Sequence, residues 1–187
     1  ADKLASSIND LNVRRREFDN KITEEALAMI EQNERLRNAK STVIFNENWH
    51  KGVIGIVASR LTDSYYRPTI VLTRSNNLIT GSARSIKNFD IYDAIDNCSD
   101  LLEHFGGHKY AAGLSLKPEN LEEFSRRFEE YVANNIDKEE LIPELNVDLE
   151  IDFSDITPKF VRVLKQFAPF GPGNMAPVFL SRNVVDT

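Results

Sequence analysis

Residues 103–113, EHFGGHKYAAG, place two adjacent glycines and a histidine just before two alanines and a third glycine. Glycine loses more conformational freedom on folding than any other residue, so this cluster needs a physical reason. A helix end followed by a turn would need only one glycine. A second one, followed by His108, indicates a backbone whose N–H groups an anion can touch, with an imidazole beside it as a further donor. Gly106, Gly107 and His108 therefore fit either a phosphate site or a plain helix end.

A second candidate group is GSARS, which ends a strand-like segment at Arg84 and Ser85. A guanidinium presents a planar fork of donors that matches phosphate geometry, and the flanking serines add hydroxyl donors. On its own, an arginine at a strand end is more often part of a surface ion pair. GGH and SAR both fall at the ends of elements in one small domain, so the two groups can converge on one pocket.

A third candidate is NENWHKGVIG, in which Trp49 and His50 follow the first strand-like segment and precede a helix that begins near a glycine. Ligands bind at the carboxyl ends of parallel strands, and a helix N-terminus there favours anions. His50 is thus a candidate phosphate or pocket residue. The alternative is a packed tryptophan beside a surface histidine.

Cleavage chemistry has no comparable signature. There is no HExxH, no Asp-His-His run and no GxSxG, and the three histidines (His50, His104 and His108) are too few for a hydrolytic metal centre. His104 fits a surface or helix-capping position. Arg14, Arg15 and Arg16 form either a basic patch or a solvated helix face. The sequence thus holds parts for gripping a phosphate chain and none for cutting it.

Hydrophobic periodicity predicts the elements that carry these residues. A long helix over residues 3–38 has an apolar stripe, and a strand, a short helix and a second strand predict a βαβ unit with parallel strands. A hairpin turn is predicted at Asn76 and Asn77, followed by a helix that Asp90 caps and Gly106 ends. The strand AAGLSL and a helix after Pro118 complete the domain. The stripe consists of Leu4, Ile8, Leu11, Phe18, Ile22, Ala26 and Ile30.

These elements predict an α/β fold with a mixed, partly parallel sheet flanked by helices. We expect a connecting helix over 1–39, the α/β domain over 40–136, and over 137–187 a linker and the start of a β-rich domain. The chain has 187 residues and does not begin with methionine, so we expect a piece of a longer protein.

Composition limits the classes of function. The net charge of −6 argues against a protein that coats duplex DNA through bulk positive charge, but it allows a local basic site. The single cysteine, Cys98, rules out an internal disulfide and fits a reducing cytoplasm. No apolar run approaches the roughly 20 residues of a membrane span, so we expect no membrane partner.

Taken together, WHKGVIGIVASRL, RPTIVL, GSARSIKNFDIYDAI and LLEHFGGHKYAAG resemble, in order and spacing, the DHH-associated domain of the RecJ family of single-stranded-DNA exonucleases. LNVRRREFDNKITEEA resembles that family's connecting helix, and FAPFGPGNMAPVF resembles the start of its oligonucleotide-binding (OB) domain. The resemblance extends over nearly the whole chain. GGHxxAAG alone is shared with other DHH phosphoesterases and with alanyl-tRNA synthetase.

The resemblance implies a role in 5′-to-3′ degradation of single-stranded DNA in repair and recombination. It implies Mn²⁺ or Mg²⁺ held by a DHH domain whose motifs are absent from this sequence, and a single-stranded-DNA-binding protein as a further partner. By position, the phosphate-gripping residues would be Arg84, Ser85, Gly106, Gly107 and His108, with His50 as a further pocket group. No catalytic or metal-binding residue is expected in this chain.

Two alternative functions stay open on the sequence. One is a DHH-superfamily enzyme that acts on oligonucleotides or cyclic dinucleotides, against which the PFGPGN tail argues. The other is a non-catalytic module that binds tRNA or another nucleic acid.

Overall fold

A computed structural model describes residues 2–185, without the side chains of residues 2–7 and of residue 10. The chain divides after Pro143 into two compact units. The predicted divisions at residues 39 and 136 stay predictions.

A five-stranded sheet forms the centre of the first unit, in the order β1-β2-β3-β5-β4. Its strands are β1 (Thr42–Phe45), β2 (Thr69–Ser75), β3 (Leu78–Arg84), β4 (Leu102–His108) and β5 (Ala111–Leu116). β1 and β2 are parallel and joined by helix α3 (Ile54–Tyr65), whereas the other neighbours are antiparallel. The predicted mixed sheet, its βαβ unit and the hairpin turn at Asn76 and Asn77 are confirmed.

The N-terminal helix is broken near its end. Helix α1 (Asp2–Gln32) stops before Asn33, whose side chain accepts the Leu36 N–H at 3.2 Å and caps a short helix α2 (Glu34–Asn38). The prediction of one helix over 3–38 is therefore wrong at this point.

The apolar stripe of α1 is only half buried. Ile22, Ala26 and Ile30 pack with α3 and β1, whereas Ile8, Leu11 and Phe18 remain exposed. The side chain of Leu4 lies outside the described residues.

Buried Arg67 and half-buried Glu129 hold the α2–β1 junction. Arg67 is 5% exposed and donates to the carbonyls of Leu36, Arg37 and Ala39 and to the Thr42 hydroxyl. These carbonyls belong to the last turn of α2 and its C-cap and would otherwise lack partners. On the other side, the Glu129 carboxylate accepts the backbone N–H groups of Lys40 and Ser41 and the Ser41 hydroxyl.

Helices α4 (Ile91–Asp96) and α5 (Leu121–Asn135) cover one face of the sheet. Phe124, Phe128 and Val132 of α5 pack there against Ile79 and Leu116, all nearly or fully buried. On the other face, α1 and α3 cover Ile44 of β1 and Val71 of β2. We call the first face the packed face.

The helix predicted from Asp90 to Gly106 is mostly wrong. Asp90 caps α4 as expected, but α4 ends at Asp96, and the chain turns through Ser99–Leu101 into β4. Arg127 of α5 donates to the carbonyl of Asn97 at 2.6 Å, and this contact helps to hold the turn. Tertiary pairing with β5 overrides the helical spacing of Leu102 and Phe105, since two glycines just after them weaken a helix by about 1 kcal/mol each.

The second unit contains helix α6 (Pro158–Lys165) between two short parallel strands, β6 (Leu149–Glu150) and β7 (Phe179–Leu180). Thr157 caps α6 by accepting the N–H of Phe160 at 3.2 Å. They lie in the stretch over 137–187 for which a linker and the start of a β-rich domain are expected.

Candidate nucleic-acid interface

Strand register brings the two main candidate residues to the same end of the sheet. Arg84 of β3 and His108 of β4 are both directly opposite Ala111 of β5. Directly paired residues project from the same face, so Arg84 and His108 share a face with about 10 Å between their strands. Ser82, Gly113 and Gly106 form the next row on that face.

This part of the sheet lies beside α3 and stays open over β4 and β5. We call it the open shelf: Ser82, Arg84, Gly106, His108, Ala111 and Gly113. Gly106, His108 and Gly113 are exposed, while Ser82, Arg84 and Ala111 are half-buried.

The Arg84 guanidinium lies half-buried at the inner edge of the shelf. Nη1 donates to the Ser82 hydroxyl at 3.0 Å and to the carbonyl of Ala83 at 2.7 Å. Burial lowers the pKa of Arg84, and among the described residues no carboxylate forms an ion pair with it. A charge held partly out of water without a counterion favours the arrival of an anion.

Gly55, in the first turn of α3, makes room for this guanidinium. A Cβ at position 55 would lie 3.0 Å from Arg84 Nη2 and 3.1 Å from the Ser82 hydroxyl. The helix N-terminus adds a field that favours negative charge close to Arg84.

The glycines of β4 and β5 have two different roles. A Cβ at Gly107 would lie 2.4 Å from the Ala111 carbonyl oxygen, and its φ of +155° adds strain for any other residue. A Cβ at Gly106 would meet nothing within 4 Å, and one at Gly113 would meet only the Gly81 carbonyl oxygen, at 3.9 Å. Packing therefore requires Gly107, whereas Gly106 and Gly113 leave bare backbone where the fold has room for side chains.

A tight turn positions His108. Lys109 and Tyr110 link β4 to β5, and the Tyr110 carbonyl accepts the N–H of Ser85 at 3.0 Å. This backbone hydrogen bond links the turn after His108 to the residue after Arg84. The Ser85 hydroxyl donates to the Phe89 carbonyl at 2.9 Å and so holds its own loop.

His50 lies in a different place. Its ring stacks on Phe18 of α1, with ring centroids 5.8 Å apart, and lines a pocket that includes neither Arg84 nor His108. The strand that leads to His50 ends at Phe45 opposite Leu72, whereas Arg84 is opposite Thr69. The structure therefore brings together Arg84, His108 and the two glycines but not His50.

The site residues predicted from the sequence did not include Ser82, Gly55 or Gly113, although Ser82 is one of the two serines of GSARS. The position of Ser82 could have been predicted, because strand alternation puts it on the same face as Arg84, two residues away. The contact between Gly55 and Arg84 depends on how α3 crosses the sheet, which no local pattern reveals.

Neither a metal cluster nor a membrane span is found in the described part of the chain. The described side chains include no group of three or more His, Cys, Asp or Glu residues that could hold a metal ion. Their helices include none that is long and apolar enough to cross a bilayer.

Comparison with known proteins agrees with the predicted resemblance. The DHHA1 domain family matches residues 38–134, and the RecJ OB domain family matches residues 147–187. The single-stranded-DNA-specific exonuclease RecJ of Bacillus subtilis is 39% identical over 99% of this chain and 24% of its own length. That of Dickeya dadantii is 34% identical over 96% of this chain and 32% of its own length.

Solved structures give the same result. RecJ of Thermus thermophilus in complex with Mn²⁺ superposes with a TM-score of 0.83 at 28% identity. The match covers 96% of this chain and 26% of that one, and the Mg²⁺ complex gives a TM-score of 0.82. This chain thus spans about a quarter to a third of its relatives. On these grounds, the chain belongs to the DHHA1 domain family, in the form that RecJ exonucleases carry beside their OB domain.

Proposed function

We propose that this chain is the substrate-gripping part of a RecJ-type exonuclease and that the open shelf seats the sugar–phosphate backbone of single-stranded DNA. The observation that carries the proposal is the half-buried Arg84 guanidinium, which has no carboxylate partner among the described residues. A phosphate would supply the missing negative charge and accept the donors that Arg84 still has free.

The other shelf residues suit the same ligand. Ser82 holds the guanidinium fork in place, and Gly55 leaves space around it. The bare backbone at Gly106 and Gly113 lets a strand approach the sheet closely, with His108 as a further donor at the edge. Contacts of this kind bind without reading bases, as an exonuclease that accepts any sequence requires.

Hydrolysis itself belongs to residues outside this chain. The described side chains do not fit a divalent-metal site, so the Mn²⁺ or Mg²⁺ expected for the whole enzyme would be held by the DHH domain. We expect the 187-residue chain not to degrade DNA with added Mn²⁺, and robust activity in a clean preparation would contradict this division of labour. A DNA substrate and the buried Cys98 fit a cytoplasmic enzyme of repair and recombination. A single-stranded-DNA-binding protein is a proposed further partner.

The shelf can be tested by fluorescence anisotropy with a labelled oligo(dT) of about 12 nucleotides, within the usual range of single-strand sites. Arg84→Ala should weaken binding about tenfold or more and should lower the salt dependence of log K by about 0.7, because one phosphate contact is lost. Arg74→Ala removes an exposed strand arginine that lies 3.7 Å from Glu47 and serves as the matched control. Equal affinities of the Arg84 and Arg74 variants would contradict the proposal.

A further inference from the structure

A second pocket lies between α1 and the loop that joins β1 to α3. Its volume is about 230 Å³, and its lining includes Leu11, Arg14, Arg15, Phe18, His50 and Gly52. None of these residues belongs to the open shelf. We call it the α1 pocket.

The His50 ring is held in a fixed orientation within the α1 pocket. The backbone N–H of Gly52 donates to His50 Nδ1 at 3.1 Å. A Cβ on Gly52 would lie 3.0 Å from both Cε1 and Nδ1, so a larger residue would crowd the ring. Because Nδ1 accepts a hydrogen bond, the neutral ring carries its proton on Nε2, which is then available as a donor.

The loop beneath His50 is anchored on two sides. The Trp49 indole N–H donates to the Glu25 carboxylate at 2.8 Å, and the Thr73 hydroxyl donates to the Trp49 carbonyl at 2.7 Å. Trp49 itself is 4% exposed. His50 is therefore carried by a rigid segment, unlike an ordinary surface histidine.

The α1 side of the pocket supplies an apolar surface and positive charge. Phe18 is 50% exposed and Leu11 is 62% exposed, so both keep free surface although His50 stacks on one of them. Arg14 and Arg15 line the same pocket, and neither forms an ion pair with any side chain that the structure describes. In contrast, Arg60 of α3 is paired with Asp19 at 2.7 Å.

We propose that the α1 pocket binds one nucleotide of a single DNA strand. The base lies against the free surface of Phe18 and Leu11, and its phosphate accepts hydrogen bonds from Arg14, Arg15 and His50 Nε2. An aromatic surface beside arginines is the usual composition of a sequence-tolerant single-strand site. This inference rests on the proposed function, since it assigns a second contact to the strand that the shelf grips.

The backbone positions that carry the two sites are offset along the sheet. The Trp49 carbonyl is bonded to Thr73, whereas Arg84 is opposite Thr69, four residues earlier in β2. That interval is about 13 Å at the usual rise per strand residue. The Arg84 side chain shortens this separation, since its guanidinium lies against Gly55, close in sequence to Val53 of the pocket lining. One DNA strand can therefore contact both sites.

The test uses the 187-residue chain and the labelled oligo(dT) of about 12 nucleotides. Arg14→Gln/Arg15→Gln should weaken binding about tenfold and lower the salt slope by about 1.4, which corresponds to two phosphate-contacting charges. Phe18→Leu keeps an apolar side chain but should weaken binding about fivefold through lost stacking. Arg16→Gln removes the same charge from the next position of α1, outside the pocket lining, and should change binding by at most about threefold. Circular dichroism checks that the variants are folded.

The outcomes separate this inference from the proposed function. If Arg84→Ala weakens binding and the α1-pocket variants behave like Arg16→Gln, the nucleotide site is wrong and the shelf stands. If only the α1-pocket variants weaken binding, the shelf is wrong. If neither set of variants weakens binding, or if the wild-type chain shows no detectable binding, both proposals are overturned.

A second measurement locates the ligand directly. Addition of dTMP should shift the amide NMR signals of Gly52 and Val53, since Gly52 N–H touches the His50 ring. Inorganic phosphate at the same concentration should shift them less, because it lacks the base. Equal shifts would show that the pocket binds only an anion and would overturn the nucleotide assignment. Unchanged signals at millimolar dTMP would overturn it as well.

Discussion

The packed face and the open shelf are two sides of the same sheet, and both contain small residues for different reasons. On the packed side, a Cβ on Gly81 would lie 2.5 Å from Leu72 Cδ2, and one on Gly107 would lie 2.4 Å from the Ala111 carbonyl oxygen. On the shelf, Gly106 and Gly113 meet no such obstacle. A glycine that the fold does not need is better evidence for a ligand than a glycine that packing requires.

Adding one methyl group on each side of the sheet tests this difference between the glycines most directly. Gly107→Ala should destabilise the protein by about 3 kcal/mol or more, because the new Cβ strikes backbone atoms and the residue keeps a strained φ. Urea denaturation measures the loss. Wild-type stability in this variant would show that β4 and β5 can separate freely, against the geometry described above.

The packed face also predicts a pH effect. Burial raises the pKa of Cys98 from 9.0 to about 11. The folded state then binds the thiol proton more tightly than the unfolded state. This contribution is fully present below pH 9 and is lost as the pH rises towards about 11, by up to about 2 kcal/mol.

The matched variant for this effect is Cys98→Ala. Between about pH 9 and pH 11, wild type should lose more stability than the variant in urea titrations. Parallel pH profiles of the two proteins would contradict a buried, protonated thiol.

The two serines of GSARS offer a finer comparison. Ser85→Ala should cost about 1 kcal/mol of stability, because the Phe89 carbonyl loses a donor, and should leave DNA affinity unchanged. Ser82→Ala should do the reverse and weaken oligo(dT) binding about fivefold through a loosened Arg84 fork. The opposite assignment of effects would place the ligand on the other side of β3.

The smallest expected change in stability is that of Gly106→Ala. With open space at the Cβ, the variant should lie within about 0.5 kcal/mol of wild type. Binding of oligo(dT) should nevertheless weaken by about threefold or more, because the methyl group keeps the strand off the backbone. Unchanged affinity would mean that nothing approaches the shelf closely at this point.

Much of the fold could be predicted because local and tertiary preferences agree. The βαβ unit, the turn at Asn76 and Asn77 and the cap at Asp90 all follow from patterns a few residues long. That Arg84 and His108 can converge was also anticipated, because SAR and GGH both fall at the ends of predicted elements in one small domain. Their placement on one face needed the register with Ala111.

The sequence predictions were wrong where contacts outside a short stretch of sequence determine the structure. Helical spacing continues through Leu102 and Phe105, but β5 offers these residues a partner strand. Arg127 and Asn120 donate hydrogen bonds to carbonyls of the turn before them. Likewise, His50 follows the end of a parallel strand, yet its ring stacks on Phe18 of α1. Arg127 lies 30 residues after Asn97, and Phe18 is similarly far from His50, so no short window of sequence contains these contacts.

The cluster of bonds around Arg67 has a mechanical consequence for the two proposed sites. The kink at Asn33 looks like a natural hinge, but both sides of it are fixed. Arg67 and Glu129 hold α2 and the chain up to Ser41 on the sheet, and Ile22, Ala26 and Ile30 hold α1 against α3 and β1. The helix before the kink and the sheet after it must therefore move as one rigid piece. The scaffold therefore fixes the separation between Phe18 and Arg84 before any DNA arrives.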